Sequence, residues 1–198
     1  DFEPGMFEAT QRAHPEIEFR QGDAQALPFA DASFDAVVCS FGILHFPEPE
    51  RALAEACRVL KRGGRYALTD WLPPAPGTLR GLLASAIDKH GDAAGKLPPG
   101  PPQGQFADEA YVARALQAAG FGQIGFRVLA LEVNRMSAAE VAAMIGGGLV
   151  RTRGLMEAQS PQAQAAIRQA LFESARALER EGEVHIPAPA ALSWAVKR

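Results

Sequence analysis

The sequence predicts an α/β fold built on a parallel sheet, and three neighbouring segments carry that prediction. Phe34-Asp35-Ala36-Val37-Val38-Cys39 is a nearly continuous apolar run of strand length, the pattern of a strand covered on both faces. Residues 48–60 form an amphipathic helix with Ala52, Leu53, Ala56, Val59 and Leu60 on one face. Arg65 to Trp71 reads as a second strand. Strand, helix, strand in that order is a βαβ crossover, which sets the two strands parallel.

The remaining elements follow from local signals. Residues 5–14 read as a helix fragment ending near His14-Pro15, and Ile17-Glu18-Phe19 as a short alternating strand. Gln21 to Ser33 is turn-rich. Lys61-Arg62 place positive charge at the end of the 48–60 helix, and Gly63-Gly64 stop it. Residues 72–105 are rich in proline and glycine, with a short helix around Leu79–Lys89. Asp108 to Ala119 is a helix closed by Gly120, and Phe121 to Asn134 a long strand with an early turn. Helices follow near 137–146 and 161–181, and Leu192 to Lys197 is a final strand.

Composition narrows the function classes. The chain has 198 residues, 47% of them hydrophobic, enough for one domain with a sizeable core. A formal charge of -3 with scattered Lys and Arg gives no nucleic-acid footprint. No apolar run approaches the roughly 18 residues of a membrane span, and Asp1-Phe2-Glu3-Pro4 has neither the basic start nor the apolar stretch of a secretory leader. Cys39 and Cys57 sit in apolar patterns and read as buried free thiols, which fits a reducing cytoplasm. Two cysteines and four scattered histidines give no zinc spacing.

Three blocks in the first half carry chemistry. The first is Gly22-Asp23-Ala24, then Leu27-Pro28-Phe29, Asp31 and Ser33-Phe34-Asp35. The second is Ile43-Leu44-His45. The third is Glu55 with Arg58-Val59-Leu60-Lys61-Arg62-Gly63-Gly64. In order and spacing they resemble the class I S-adenosylmethionine-dependent methyltransferases, in particular the group that includes the ubiquinone and menaquinone biosynthesis enzymes. The likeness runs through about residue 71 and continues loosely over Phe106–Phe121. One departure is Arg62, where the family usually has proline. The larger one is at the front: Asp1 to Met6 resembles the residues just after the family's second strand. The resemblance therefore implies a Rossmann-like parallel sheet with an antiparallel last strand. Its first strand and glycine-rich loop are absent from this chain, and helical insertions fill the C-terminal half. It further implies some 40–60 upstream residues, about one βαβ unit plus an entry helix.

The resemblance also assigns a cofactor, S-adenosylmethionine, and the residues around it. Ligands of such sheets sit at the carboxyl ends of the strands. Asp1 would accept hydrogen bonds from both ribose hydroxyls. Phe2 and Met6 would contact adenine, or else fill the core. Gly22, Asp23 and Ala24 follow the 17–19 strand. The Asp23 carboxylate would accept from the adenine amino group and the Ala24 N–H donate to a ring nitrogen, or Asp23 would simply make a local turn. Ser40, Phe41 and Gly42 would line the methionine end, where Gly42 permits close backbone approach or is an ordinary loop glycine. Asp35 reads as a structural hydrogen-bonding residue or else a ligand contact, and Glu55 with Arg58, three apart on a helix, as a fold-holding pair.

Methyl transfer needs the acceptor held in line, roughly 3–3.5 Å from the methyl carbon, in a dry site. A base is needed only where the acceptor must lose a proton. His45 is the first candidate for that base and otherwise caps the next helix; Asp70, Tyr111 and His90 come after it. Trp71 would wall the acceptor pocket, residues 72–105 would fold over it as a lid, and the 137–181 helices would form its far side. Met136, Met144, Leu149 and Met156 would line that side or fill a core. The domain division is thus 1–71 for the cofactor, 72–105 for the lid and 106–198 for the rest. The expected partner is a small-molecule methyl acceptor, with a homodimer left open. Two other classes compete with this reading. One is a catalytically inactive, cofactor-binding or assembly relative. The other is a nicotinamide-dependent dehydrogenase, which lacks its Tyr-x-x-x-Lys pair: Asp70 follows Tyr66 and Ala115 follows Tyr111 at that spacing.

Overall fold

A computed structural model describes residues 10–91, 102, 104–148 and 150–198. Asp1, Phe2, Met6 and Leu149, and the Pro/Gly run around 98–101, lie outside the described residues. The chain divides into two compact units. The first takes in the described residues through Trp71, those between Gly100 and Val128, and Ala191–Arg198. The second takes in the described residues between Leu72 and Pro99, and Leu129–Ala190.

The first unit contains the expected crossover. Strand β1 (Phe34–Ser40) leads through a 3-10 turn (Ile43–His45) into helix α1 (Pro49–Val59) and strand β2 (Leu60–Trp71). β1 and β2 pair in parallel, with Ala36 opposite Arg65 and Ser40 opposite Thr69. Helix passes to strand at Leu60, five residues earlier than Arg65, because Gly63 takes a positive φ of 75° and the intervening residues bulge. Gly64 beside it has no room for a side chain: a Cβ there would lie 2.8 Å from the Lys61 carbonyl oxygen.

Helix α3 (Glu109–Ala118) starts at Asp108, whose carboxylate accepts the Tyr111 N–H at 2.6 Å. Strand β3 (Phe121–Leu129) follows, and strand β8 (Ala190–Lys197) arrives from the far end of the chain. The sheet order is β1-β2-β8-β3. Gly122 lies beside Arg198 and Gly125 beside Trp194, so residue numbers fall along β8 as they rise along β3: the last strand is antiparallel. Helices α1 and α3 cover one face, where Leu53, Val112, Leu116, Tyr66, Leu68 and Phe121 make the core. Lys197 reaches back from β8 and donates to the carbonyls of Arg58 (3.2 Å) and Leu60 (2.7 Å), placing a cation at the negative end of α1.

Two expectations for this unit fail. Residues 17–19 form no strand, and Ile17 is 49% exposed; alternation alone does not supply the neighbouring ladder a strand requires. β1 is not covered on both faces either. It is an edge of the described sheet, and Val38 on its outer face is 71% exposed.

The second unit is mostly helical. Helix α2 (Leu79–His90) packs on helix α6 (Pro161–Arg176), with helices α4 (Ala138–Ala143) and α5 (Val150–Glu157) beside them. Leu79, Leu82, Leu83, Ala86 and Ile87 recur at helical spacing and join this core with Val141, Ile145, Ile167 and Leu171. The segment around Leu79 and the helices beyond residue 137 are therefore packed partners rather than opposite walls. Met156 is buried in the same core, while Met136 and Met144 sit at its margin. The Ser137 hydroxyl and Glu140 carboxylate form a capping box that starts α4, and a π turn (Met144–Gly148) links it to α5, which the glycines of 146–148 had hidden. The expected long strand ends at Leu129, apart from a two-residue strand β4 (Glu132–Val133). α6 ends at Arg176, and the chain then turns through two short strands, β5 (Glu179–Arg180) and β6 (Glu183–Val184). A further short strand, β7 (Ile186–Pro187), pairs with β4.

Gly125 gives a direct test of the β3–β8 register. A Cβ there would lie 2.2 Å from the Trp194 indole. Gly125→Val should displace the half-exposed ring and lower stability by about 1–3 kcal/mol. Denaturant melts followed by tryptophan emission check this; an unaltered midpoint and spectrum would mean that the ring does not lie over Gly125.

Candidate functional site

β1 and β2 are parallel; β1 stops at Ser40 opposite Thr69, and β2 runs two residues further to Trp71. The backbone turns sharply just past Ser40: Phe41 has a positive φ of 53°, a conformation that costs a non-glycine residue about 1–3 kcal/mol. Two contacts hold it. The Phe41 N–H donates to the Thr69 hydroxyl at 3.0 Å, and its ring stacks on Trp71 with centroids 4.0 Å apart and planes 19° apart. Gly42 follows, packed so near Cys39 that an added Cβ would stand 3.2 Å from the sulfur. Burial, ahead of every other cause, raises the Cys39 thiol pKa, and the side chain packs against the core. Ile43 anchors the 3-10 turn in the core, and His45 at its end is exposed.

The Gly22-Asp23-Ala24 segment forms a tight turn in which the Ala26 N–H donates to the Asp23 carbonyl at 3.0 Å. The Asp23 carboxylate accepts from the Gln25 backbone N–H (2.8 Å) and side-chain amide (3.1 Å). The backbone bond, first, and the amide hold Asp23 below the usual carboxylate range, so it is anionic at neutral pH. Gln25 in turn accepts the Glu48 N–H at 2.7 Å, which ties this turn to the entrance of α1 and hence to the end of the sheet where β1 stops. Gly22 has a packing reason of its own: a Cβ would meet Pro28 at 2.9 Å. Ala24 packs against the core.

Two ion pairs made by Arg58 fix the loop between this turn and β1. Arg58 donates to Glu55 through Nε (2.7 Å) and Nη2 (2.9 Å), and to Asp31 through Nη1 (2.6 Å). Its remaining capacity goes to the carbonyls of Phe29 (2.8 Å) and Leu27 (3.0 Å), while Glu55 accepts the Leu27 N–H at 2.7 Å. The pair expected on the α1 face is present, and it clamps residues 27–31. Asp35 pairs with Lys61 at 2.9 Å, also structural.

Two of the other candidate bases are committed. Asp70 is 1% exposed and accepts the N–H groups of Trp71 (2.8 Å) and Phe106 (3.2 Å). The Tyr111 hydroxyl donates to Glu50 and accepts from Gln105, and burial, then Glu50, push its pKa up to about 12. His90 lies in the last turn of α2, in the second unit. Sequence spacing could not show the Glu50–Tyr111 contact, which joins residues 61 apart. A cavity of about 260 Å³ opens between α3 and β3, lined by Glu109, Gln117, Gly122, Gly125 and Arg198 among others; none of the expected site residues borders it.

The chain is similar to known proteins in sequence and in fold. The methyltransferase domain family matches residues 1–68. The demethylmenaquinone methyltransferase of Renibacterium salmoninarum is 49% identical over 80 residues, 40% of this chain and 34% of that protein. The enzyme of the same name from Beutenbergia cavernae is 33% identical over 140 residues, 65% of this chain and 58% of that one. The chain thus spans about a third to three fifths of the length of the curated relatives it matches. Among solved structures, the Bacillus subtilis YcgJ protein superposes over the whole chain and 80% of its own length, with a TM-score of 0.58 at 19% identity. The [4+2]-cyclase SpnF superposes over 99% of this chain and 64% of its own, with a TM-score of 0.53 at 20% identity. At such identities the likeness establishes the Rossmann-like α/β fold and nothing finer.

Glu55 carries the prediction here. Glu55→Ala would leave the Arg58 guanidinium and the Leu27 N–H without their shared partner, a loss of about 1–3 kcal/mol. The Arg58 bond, first, holds the Glu55 carboxyl below its ordinary value of 4.5. Its folded-state pKa is depressed, so its contribution is full above pH 4.5 and fades as pH falls through the folded value. Urea midpoints measured from pH 7 to pH 3 should therefore drop less steeply for Glu55→Gln than for the natural protein, and superimposable pH profiles would rule the clamp out as a stabilising pair.

Proposed function

The chain belongs to the class I S-adenosylmethionine-dependent methyltransferase family, and on that premise we propose that it forms most of the catalytic domain of an enzyme that methylates a small molecule. The observation that supports this most is the convergence at one sheet end. The Asp23 turn, the Ser40–Gly42 bend and the His45 turn all lie where the parallel strands β1 and β2 stop, the place such sheets bind ligands.

S-adenosylmethionine would supply a methyl group already activated on a positively charged sulfur. The chain's own residues then have four tasks. Asp23, anionic and held in its turn, accepts from the adenine amino group while Ala24 offers its N–H and Gly22 lets the turn pack on Pro28. Ser40, Phe41 and Gly42 present backbone along the methionine end, where the missing Cβ of Gly42 keeps the bend close to Cys39. The stacked Phe41 and Trp71 rings exclude water beside the acceptor. His45 takes a proton where the acceptor atom carries one. Asp1, Phe2 and Met6 are assigned to the ribose and adenine on the family resemblance alone.

The curated relatives are named for demethylmenaquinone, a ring compound, which makes a quinol-type acceptor the first to test. Free Cys39 and Cys57 suit a reducing cytoplasm. No helix among the described residues is long and apolar enough to cross a membrane.

The natural full-length protein should bind S-adenosylmethionine by calorimetry. Asp23→Ala should weaken that binding about tenfold to a hundredfold with little change in melting, since the carboxylate serves a turn and not a core. Affinity unchanged by Asp23→Ala would place adenine elsewhere. Binding without turnover of any quinol acceptor would favour the inactive, cofactor-binding alternative.

A further inference from the structure

A second cluster of polar groups lies in the first unit at the same sheet end, and the reaction outlined above does not use it. Glu50 begins α1, Gln105 belongs to the 3-10 turn Gln105–Ala107, and Tyr111 stands in the first turn of α3. The Tyr111 hydroxyl donates to the Glu50 carboxylate and accepts from the Gln105 amide. With a pKa pushed up to about 12, by burial first and then Glu50, the phenol is a fixed donor at neutral pH and cannot serve as a base.

The cluster connects directly to the aromatic stack. The Tyr111 ring meets Phe106 edge-on, centroids 5.3 Å apart. Phe106 is buried, and its N–H donates to one oxygen of Asp70, whose other oxygen accepts the Trp71 N–H. Trp71 lies on Phe41 at 4.0 Å. Every link is a hydrogen bond or ring contact between groups with few alternative positions, because Phe106 and Asp70 are both fully enclosed.

We propose that Tyr111 is a positioning residue for methyl transfer: anchored by Glu50 and Gln105, it fixes the 105–107 turn and, through Phe106 and Asp70, the placement of Trp71 against Phe41. The inference rests on the methyltransferase reading for its consequence, since that stack borders the acceptor. A misplacement of the order of 1 Å at such a wall costs up to about a hundredfold in rate.

Trp71 reports on this directly. The chain has two tryptophans, so Trp194→Phe leaves Trp71 as the sole indole. In that background, Tyr111→Phe keeps the ring against Phe106 and removes only the hydroxyl. The Trp71 emission should shift and its quenching by acrylamide rise, while the thermal midpoint stays close to that of the parent. Glu50→Ala should reproduce the effect, and Glu50→Gln, which still offers the phenol an acceptor oxygen, should restore the parent spectrum. In the natural full-length enzyme, Tyr111→Phe should lower kcat/KM for the acceptor about tenfold or more and leave the affinity for S-adenosylmethionine unchanged. Unaltered Trp71 emission in Tyr111→Phe, or equal loss in Glu50→Gln and Glu50→Ala, would overturn the proposal. Absence of methyl transfer by the unmodified enzyme would instead sink the functional reading, leaving the emission result to stand by itself.

Discussion

The loop between residues 23 and 31 has few apolar anchors, Ala24 on the core and Phe29 edge-on to Phe34, and the Arg58 guanidinium supplies the rest of its hold. Five hydrogen bonds fan out from a single planar group: two to Glu55 on the same helix, one to Asp31, and two to backbone carbonyls of the loop. Only arginine has enough donors in a rigid fork to do this. Its charge stays balanced because Glu55 and Asp31 sit on either side. Glu55 adds a bond to the Leu27 N–H, so the clamp grips the loop by donor and acceptor alike. The Asp23 turn hangs from this loop on one side and from Glu48 on the other. With the loop released, the helix and strands would remain, but the turn would lose its position relative to the sheet end.

The sequence made the local half of this visible. Glu55 and Arg58 are three residues apart in an amphipathic helix, so their pairing could be read directly. The carbonyls of Leu27 and Phe29 could not, because a backbone acceptor leaves no trace in residue identity. The same divide runs through the fold. The crossover from β1 to β2 is local and was legible in Phe34–Cys39 and in the Ala52, Leu53, Ala56 face. Ile17–Phe19 has the alternation of a strand and forms none, since a ladder depends on a partner elsewhere. The stripe Leu79, Leu82, Leu83, Ala86, Ile87 is present in the letters, yet its proline- and glycine-rich flanks point to a lid and not to a packed helix.

The candidate site divides in a similar way. Gly22, Asp23, Ala24, Ser40, Phe41, Gly42 and His45 could be named because a family resemblance points to them, and the structure supplies physical reasons that are partly different. Gly22 makes room for Pro28, and Gly42 for Cys39. Asp70 and Tyr111, attractive as isolated titratable residues, are bound into hydrogen bonds that hold backbone and rings in place. Their partners, Phe106 and Glu50, lie 36 and 61 residues away, beyond any spacing rule.

β8 lies between β2 and β3 in the sheet, although the chain makes it after the entire second unit. During vectorial synthesis, therefore, β2 and β3 both leave the ribosome with open edges facing the gap that β8 will fill. The second unit is complete in sequence by Ala190, so its helices can pack during that interval. The first unit cannot: its middle strand and the Lys197 cation that caps α1 are not yet made. A nascent chain of this kind carries exposed strand edges for the time needed to translate the helical insert, a window in which edge-to-edge association competes with folding. The position of one late strand thus leaves the sheet of the first unit open until the last residues of the chain are made.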